Sequence, residues 1–425
     1  MARSGGPTVG LDIGSKYIKV AEVVPSRNGV AVRALGMAPT PPGALEAGVI
    51  VDAKLLGDAI KKLLKEAGVG TRSCVSSVSG SGALVVRVIE VPKMSDSELA
   101  ETMKWEVERH VPFAANEVIM DFQAIQRTDD DPDAQNMEVL LAVAQQDMVD
   151  KHVEALFAAG LQPRSIDVEP LAASRCLVEL GPDPWGKKTV VVVNIGASIT
   201  DIGIFRDGVL SFPRTLPLAG DAMTSSIMSQ TGLEADAAED LKLQHAAVLM
   251  GQAPAAPAPQ PSVAGGSDLG FVDFSSGDDS GLDLSTPTLG EPEPVAAPVA
   301  APSGDPTTMQ VFGAIAPTLG DLLSEIRRSI EYYRGRSSDG HIDQVLLCGG
   351  SARIKDLDRF LAGELGVPTQ VADVFKFAPV SAKSVTPDYL ETIGPSFAVA
   401  VGLGARDLVA VPATAAPSGR GKRKK

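Results

Sequence analysis

Apolar and polar residues alternate along VGLDIGSKYIKV (residues 9–20). Val9, Leu11 and Ile13 are interleaved with Gly10, Asp12 and Gly14, and Ile18 and Val20 resume the alternation after a turn at Gly14, Ser15 and Lys16. A period of two predicts strands, and two such runs around a short glycine turn predict a tight hairpin. A third strand is expected from Val30 to Leu35. Leu55, Leu56, Ile60, Leu63 and Leu64 recur instead at helical spacing over residues 54–67, and Gly68 stops that helix. Residues 73–79 and 84–91 return to strand, with a glycine turn at 80–82 between them.

The pattern changes over residues 91–166. Ser95 and Glu98 have capping-box spacing and open a helix bearing Leu99, Met103, Val107 and Val111, closed by Pro112. Val118, Met120, Phe122 and Ala124 alternate as a strand. A polar loop comes next at 128–135, then a strand at 138–144, and then a helix carrying Val149, Val153, Leu156 and Phe157. This helix–strand–strand–helix order predicts a small inserted subdomain.

Residues 189–195 are almost all aliphatic, as in a strand buried on both faces. Together with residues 196–205 they make a second copy of the opening hairpin, VVVNIGASITDIGIF (residues 191–205). Aliphatic strand, carboxylate or amide, aliphatic residue, glycine, small polar residue and return strand come in the same order, which implies an internal duplication. Residues 251–306 are rich in Pro, Ala, Gly, Ser and Asp and hold too few large apolar residues to fold. Leu319, Leu322, Leu323, Ile326, Ile330 and Tyr333 form the stripe of a long amphipathic helix. The strand at 341–348 then leads into Gly349, Gly350 and Ser351. IGPSFAVAVGLGA (393–405) reads as a helix with Pro near its start and small residues suited to close packing.

At 425 residues the chain exceeds one ordinary core. Its net charge of −15 argues against broad nucleic-acid binding. Cys74, Cys176 and Cys348 are widely spaced in apolar surroundings and lack metal-ligand spacing, which predicts buried thiols in a reducing cytosol. No apolar run suits a signal peptide or reaches the roughly 18 residues of a membrane span. The basic tail GRGKRKK (419–425) reads as a solvated end or a weak contact with anionic lipid.

Candidate chemistry gathers at the glycine turns. Gly14 lets backbone approach a bulky anion, and successive N–H groups of such a turn form an anion-binding nest. Asp12 is a hard oxygen ligand suited to hydrated Mg²⁺. The turns at 14–16 and 196–198 would grip phosphates from both sides, and the turn at 349–351 would offer glycine backbone to a base or sugar.

On these motifs the sequence resembles the actin-like ATPase superfamily, and within it the branch of the PilM and FtsA families. Residues 9–20 match its first phosphate motif, 190–205 the second, 345–353 the adenosine motif and 393–405 the second connecting helix, and LPLAGDAMT (216–224) and AEDLK (238–242) recur in this branch. The resemblance implies an α/β actin-like ATPase fold: two RNase H-like domains flanking a nucleotide cleft, with an inserted α+β subdomain. The first domain would comprise residues 1–90 and 167–188, the insertion 91–166, and the second domain 189–250 and 307–405. Residues 251–306 and 406–425 would be disordered.

By position, the resemblance implies Asp12 holding Mg²⁺ through water and Gly14, Ser15, Lys16, Gly196, Ala197 and Ser198 on the phosphates of ATP. It puts Gly220 beside them, Glu239 and Lys242 at the ribose, and Gly349, Gly350 and Ser351 at the adenosine. Glu169 falls where relatives place a water-positioning catalytic residue. On the residues alone, Glu169 reads equally as a carboxylate at a helix N-terminus, and Glu239 and Lys242 as an exposed helical pair. Asn194 stands where many relatives have Asp, so ATP hydrolysis is expected to be slow or absent.

The resemblance also implies a cytoplasmic adaptor peripheral to the inner membrane, serving type IV pilus assembly and twitching motility. Its partner would be the cytoplasmic N-terminal segment of the membrane protein PilN, docked near Val86, Val88, Glu90, Met103, Val107 and Met120. Pilus motor ATPases and the inner-membrane platform protein are further expected partners. Two other classes compete with this reading. One is an actin-like filament or FtsA-type division protein. The other is a sugar-kinase-like phosphotransferase, for which the insertion offers no clear carboxylate base.

Overall fold

The computed structural model describes residues 5–27, 29–80, 82–111, 113–125, 134–181, 188–250, 305–337, 340–382 and 385–409. The expected disordered insertion, apart from its last two residues, the polar loop up to residue 133 and the tail beyond residue 409 lie outside them.

β1 (Thr8–Ile13), β2 (Tyr17–Ser26) and β3 (Gly29–Pro39) form an antiparallel meander. A short hairpin, β4 (Leu45–Glu46) and β5 (Val49–Ile50), leads to α1 (Ala53–Glu66), and β6 (Ser73–Val78) then runs parallel to β1. Asp52 caps α1 by accepting the Leu55 N–H at 2.8 Å. Leu56, Ile60, Leu63 and Leu64 are buried against Val9 and Leu11 of β1, while Leu55 turns to solvent. β7 (Leu84–Pro92), α2 (Asp96–His110), β8 (Val118–Ala124) and β9 (Asn136–Gln145) come next, then α3 (Gln146–Ala158), β10 (Gln162–Val168) and α4 (Glu169–Ser174). The sheet of the first domain has the order β10-β6-β1-β2-β3.

The second domain repeats this plan. β11 (Thr189–Ile195), β12 (Thr200–Arg206) and β13 (Val209–Leu216) form the meander. α5 (Gly220–Thr231), α6 (Ala235–His245) and α7 (Pro306–Arg336) lead to β14 (Gln344–Cys348), parallel to β11, and α8 (Leu357–Leu365) leads to β15 (Thr369–Val371). The order β13-β12-β11-β14-β15 matches the first sheet strand for strand, three antiparallel and then two parallel. α9 (Pro387–Ile393) and α10 (Ala398–Ala405) close the chain. The fold is that of the actin-like ATPases, two such domains flanking a cleft.

Some expectations need correction. The insertion is strand–helix–strand–strand, because β7 pairs with β9 in a separate sheet of order β7-β9-β8 instead of forming a hairpin with β6. It therefore starts near residue 84, not 91. α3 packs through Ala155 and Leu156 on α1, and β10 pairs with β6, so both belong to the first domain and the return falls before residue 167. α7 begins well before Leu319 and passes through Pro317. Proline cannot donate to the carbonyl four residues back, that of Gly313, and the Gln230 side chain bonds that oxygen instead at 3.5 Å. The final helix is also shorter than expected, since residues 394–397 form a 3₁₀ turn before α10.

α10 carries the junction between the domains. A Cβ on Gly10 of β1 would lie 1.8 Å from Ala400 O, and one on Gly402 would lie 1.8 Å from Ala172 O of α4. Backbone therefore meets backbone on both sides of α10. Val399, Val401 and Leu403 share one apolar cluster with Val23 and Val75 of the first sheet and Val190 and Leu346 of the second. Asp167 adds ion pairs to Arg175 at 3.1 Å and Arg406 at 3.4 Å. Gly402→Ala should push α4 and α10 apart and destabilise the fold by about 3 kcal/mol or more. A thermal denaturation midpoint within a degree of the unmodified protein would rule this packing out.

Candidate functional site

A cavity of ≈ 400 Å³ opens between the two sheets at the ends of β1 and β11, within the roughly 300–1,000 Å³ range of small-molecule sites. Asp12, Gly14, Ser15, Lys16, Glu169, Gly196, Ala197, Ser198, Glu239, Lys242, Gly349, Gly350 and Ser351 all line it. Of the residues expected at a nucleotide, Gly220 stands outside the lining. Its N–H donates to Gly196 O at 3.3 Å, so it supports the second hairpin from behind.

The two hairpins close in the same way. The Gly14 N–H donates to Tyr17 O at 3.1 Å and the Gly196 N–H to Ile199 O at 3.0 Å. A Cβ at either glycine would lie 2.9 Å from that same carbonyl, so only glycine fits. The tips face each other across the cavity, Ser15 Oγ and Ser198 Oγ being 3.0 Å apart. The third turn is docked onto the second. Gly349 has φ 89°, a left-handed conformation, and a Cβ there would sit 2.3 Å from Ile195 O. The Ser351 hydroxyl donates to Gly196 O at 3.0 Å.

Duplication extends to the charged pairs on the hairpins, with the signs changed. Asp12 is the cross-strand partner of Lys19, whose Nζ lies 2.8 Å from its Oδ2. The equivalent pair in the second hairpin is Asn194 and Asp201. Seven residues separate each pair, so alignment of the two hairpins is the sequence signal that exposes both Lys19 and Asp201. Asp201 is buried in β12 and accepts the Thr215 hydroxyl at 2.5 Å, and its Oδ2 has no hydrogen-bond partner. Burial raises its carboxyl to about 6. Glu169, the first residue of α4, is buried beside it, with Asn194 Nδ2 3.4 Å from its Oε2. Burial, and then the charges of Asp201 and Asp12, push the Glu169 carboxyl well above the carboxylate range. Glu169 is thus both a helix N-terminal residue and part of the cavity wall. A protonated Glu169 can donate a hydrogen bond but cannot act as a base.

Glu239 and Lys242 are not an exposed pair. Lys242 Nζ is buried and donates to Gly220 O at 2.9 Å, Thr224 Oγ1 at 2.8 Å and Glu239 Oε2 at 2.8 Å. An ammonium has three donors, and all are used: two fasten α6 to the start of α5, and the third holds Glu239 one turn back on α6 itself. Burial works upward on Glu239, but its bonds from Lys242 and Thr224 outweigh that and hold it below the usual range. Lys242 is therefore spent on protein atoms and holds Glu239 at the cavity wall, instead of reaching a sugar itself.

The expected partner residues do not share one groove. Met103 and Val107 are fully buried between α2 and the inserted sheet, against Val139, Leu141 and Val143, and Met120 packs on the same side. A partner could reach them only by opening that core. Pleating puts Val86, Val88 and Glu90 on the opposite face with Leu140 and Ala142. Val86 and Leu140 lean on the cluster that joins the domains, and Val88 is half-buried.

The glycine turns could hold a polyphosphate, and Asp12, whose Oδ2 meets Lys19, could hold a hydrated Mg²⁺ through its other oxygen. Comparison with known proteins identifies the family. Residues 10–247 and 307–408 match the family described as type IV pilus assembly protein PilM. A solved structure named "PilM-PilN type IV pilus biogenesis complex" is similar with a TM-score of 0.72 and 29% identity, covering 94% of this chain and 98% of that one. Cell division protein FtsA of Streptococcus pneumoniae is 25% identical over 58% of this chain and 57% of its own length. FtsA of Pseudomonas aeruginosa is 26% identical over 58% of this chain and 63% of its own. The chain thus spans under two thirds of the length of these division proteins. Among the described residues, no helix is long and apolar enough to cross a membrane.

Because folding raises the Asp201 carboxyl from 3.8 to about 6, the folded state holds more protons between those values and loses stability as pH rises through them. Asp201→Asn should remove that loss. It should stabilise the nucleotide-free protein at pH 7 by roughly 1–3 kcal/mol and have little effect at pH 4. Urea melts of both proteins at the two pH values measure it, and a difference that does not grow with pH would contradict the assignment.

Proposed function

This chain belongs to the PilM family of type IV pilus assembly proteins, and from that premise we propose that it is an ATP-binding adaptor that docks the cytoplasmic N-terminal segment of PilN. The observation that carries the docking is the half-buried apolar face of the inserted sheet. Leu84, Val86 and Val88 of β7 lie there beside Leu140 and Ala142 of β9, turned away from α2 and toward the body of the protein. An extended segment with apolar side chains at alternate positions suits such a face. The solved relative named as a PilM–PilN complex supports the choice of partner. Motor ATPases and the platform protein would be linked to the inner membrane through this contact.

ATP would lie between the hairpins. Backbone N–H groups at Gly14, Ser15 and Lys16 and at Gly196, Ala197 and Ser198 would meet its phosphates, Glu239 its ribose, and Gly349 and Gly350 its nucleoside end. Mg²⁺ bound with the nucleotide would offset phosphate charge, and Asp12 would hold its water shell. Asn194 accepts no proton, and burial beside Asp201 and Asp12 raises the Glu169 carboxyl well above its usual range, which disfavours the carboxylate a base would need. The site therefore favours retention of ATP over turnover, with nucleotide acting to hold the cleft closed.

Calorimetric titration of the full chain with a PilN N-terminal peptide, with and without Mg·ATP, tests this. Binding is expected, tighter with nucleotide. Val88→Asp should weaken it at least about tenfold, whereas Trp105→Ala, on the outer side of α2 and 71% exposed, should leave it unchanged. Failure to bind in either state, together with ATP-dependent sedimentation of the chain alone, would favour an FtsA-like filament protein.

A further inference from the structure

Part of the cavity wall is made by two short stretches of chain fastened to each other. The Lys355 N–H donates to Ala246 O at 3.3 Å and the Val248 N–H to Lys355 O at 2.8 Å. This cross-link brings Leu243 and Ala246, at the end of α6, up against Arg353 and Ile354, and all four line the cavity. Leu243 is 50% exposed and Arg353 is exposed, so both present their side chains to an incoming group. The main-chain groups of Ala246 and Ile354 are already engaged. The Ala246 N–H donates to Lys242 O at 2.9 Å, its carbonyl accepts from Lys355, and the Ile354 N–H donates to Ser351 O at 3.2 Å.

A slot of aliphatic side chains and a guanidinium recognises a flat π-face, which every base has, more than the donors and acceptors along its edge. We infer that the slot takes the base of purine nucleoside triphosphates generally, so that GTP binds about as well as ATP and selection rests on phosphate and ribose. This builds on the nucleotide reading proposed above. A site that hydrogen-bonds a defining group rejects the analogue lacking it by about 10⁴–10⁵-fold, whereas apolar contact discriminates by about 10–200-fold.

Displacement of a fluorescent ATP analogue from the full chain by Mg·ATP and by Mg·GTP tests the inference. Dissociation constants within about tenfold of each other are expected. A preference of more than about tenfold for either nucleotide would overturn the inference and leave the nucleotide site standing. No binding of the analogue or of either nucleotide would overturn both. Arg353→Ala, a change at an exposed position, should weaken ATP and GTP by a similar factor of about ten. A loss confined to one of them would show that Arg353 reads an edge.

Discussion

Everything at the cleft depends on main chain touching main chain at α10. Gly10 and Gly402 leave no room for a methyl group against Ala400 and Ala172, so β1, α10 and α4 are stacked at the closest approach a protein allows. Side chains can hop between rotamers, but a backbone contact cannot be retuned without moving a whole element. The two sheets are thereby fixed relative to each other by parts with almost no freedom. The ion pairs from Asp167 to Arg175 and Arg406 anchor the ends of the same elements.

That rigidity explains how two hairpins far apart in sequence can face each other with Ser15 and Ser198 in hydrogen-bond contact. β1 and β11 each end at a glycine turn, and the shared junction aims both turns at one point. The third turn is placed by contact with the second, through Gly349 against Ile195 and Ser351 against Gly196. A ligand gripped by all three would add its own binding energy to the closed arrangement, which is how a nucleotide can act as a structural part.

The electrostatics of the cleft are uneven in an informative way. The first hairpin balances its carboxylate with Lys19, while the second sets Asn194 opposite Asp201 and leaves that acid buried next to Glu169. Burial raises both of these carboxyls, Glu169 the more strongly.

Local patterns determined a good deal. Alternation located the two glycine hairpins, the glycines marked the turns that need close approach, and the order of motifs carried the duplicated plan that both sheets display. These features are written in residues adjacent along the chain, where period and turn chemistry act directly. Tertiary structure alone decided the rest. Whether β7 paired with β6 or with β9 depended on which edge was free. Whether Met103 faced a partner or a core depended on what lay across the sheet. Two of the three donors of Lys242 reach α5 because it packs beside α6, and the Gly313 carbonyl that Pro317 leaves free meets the side chain of Gln230 from another helix. In each case the deciding group is remote in sequence, and a partner brought close only by folding leaves no periodic trace in the chain.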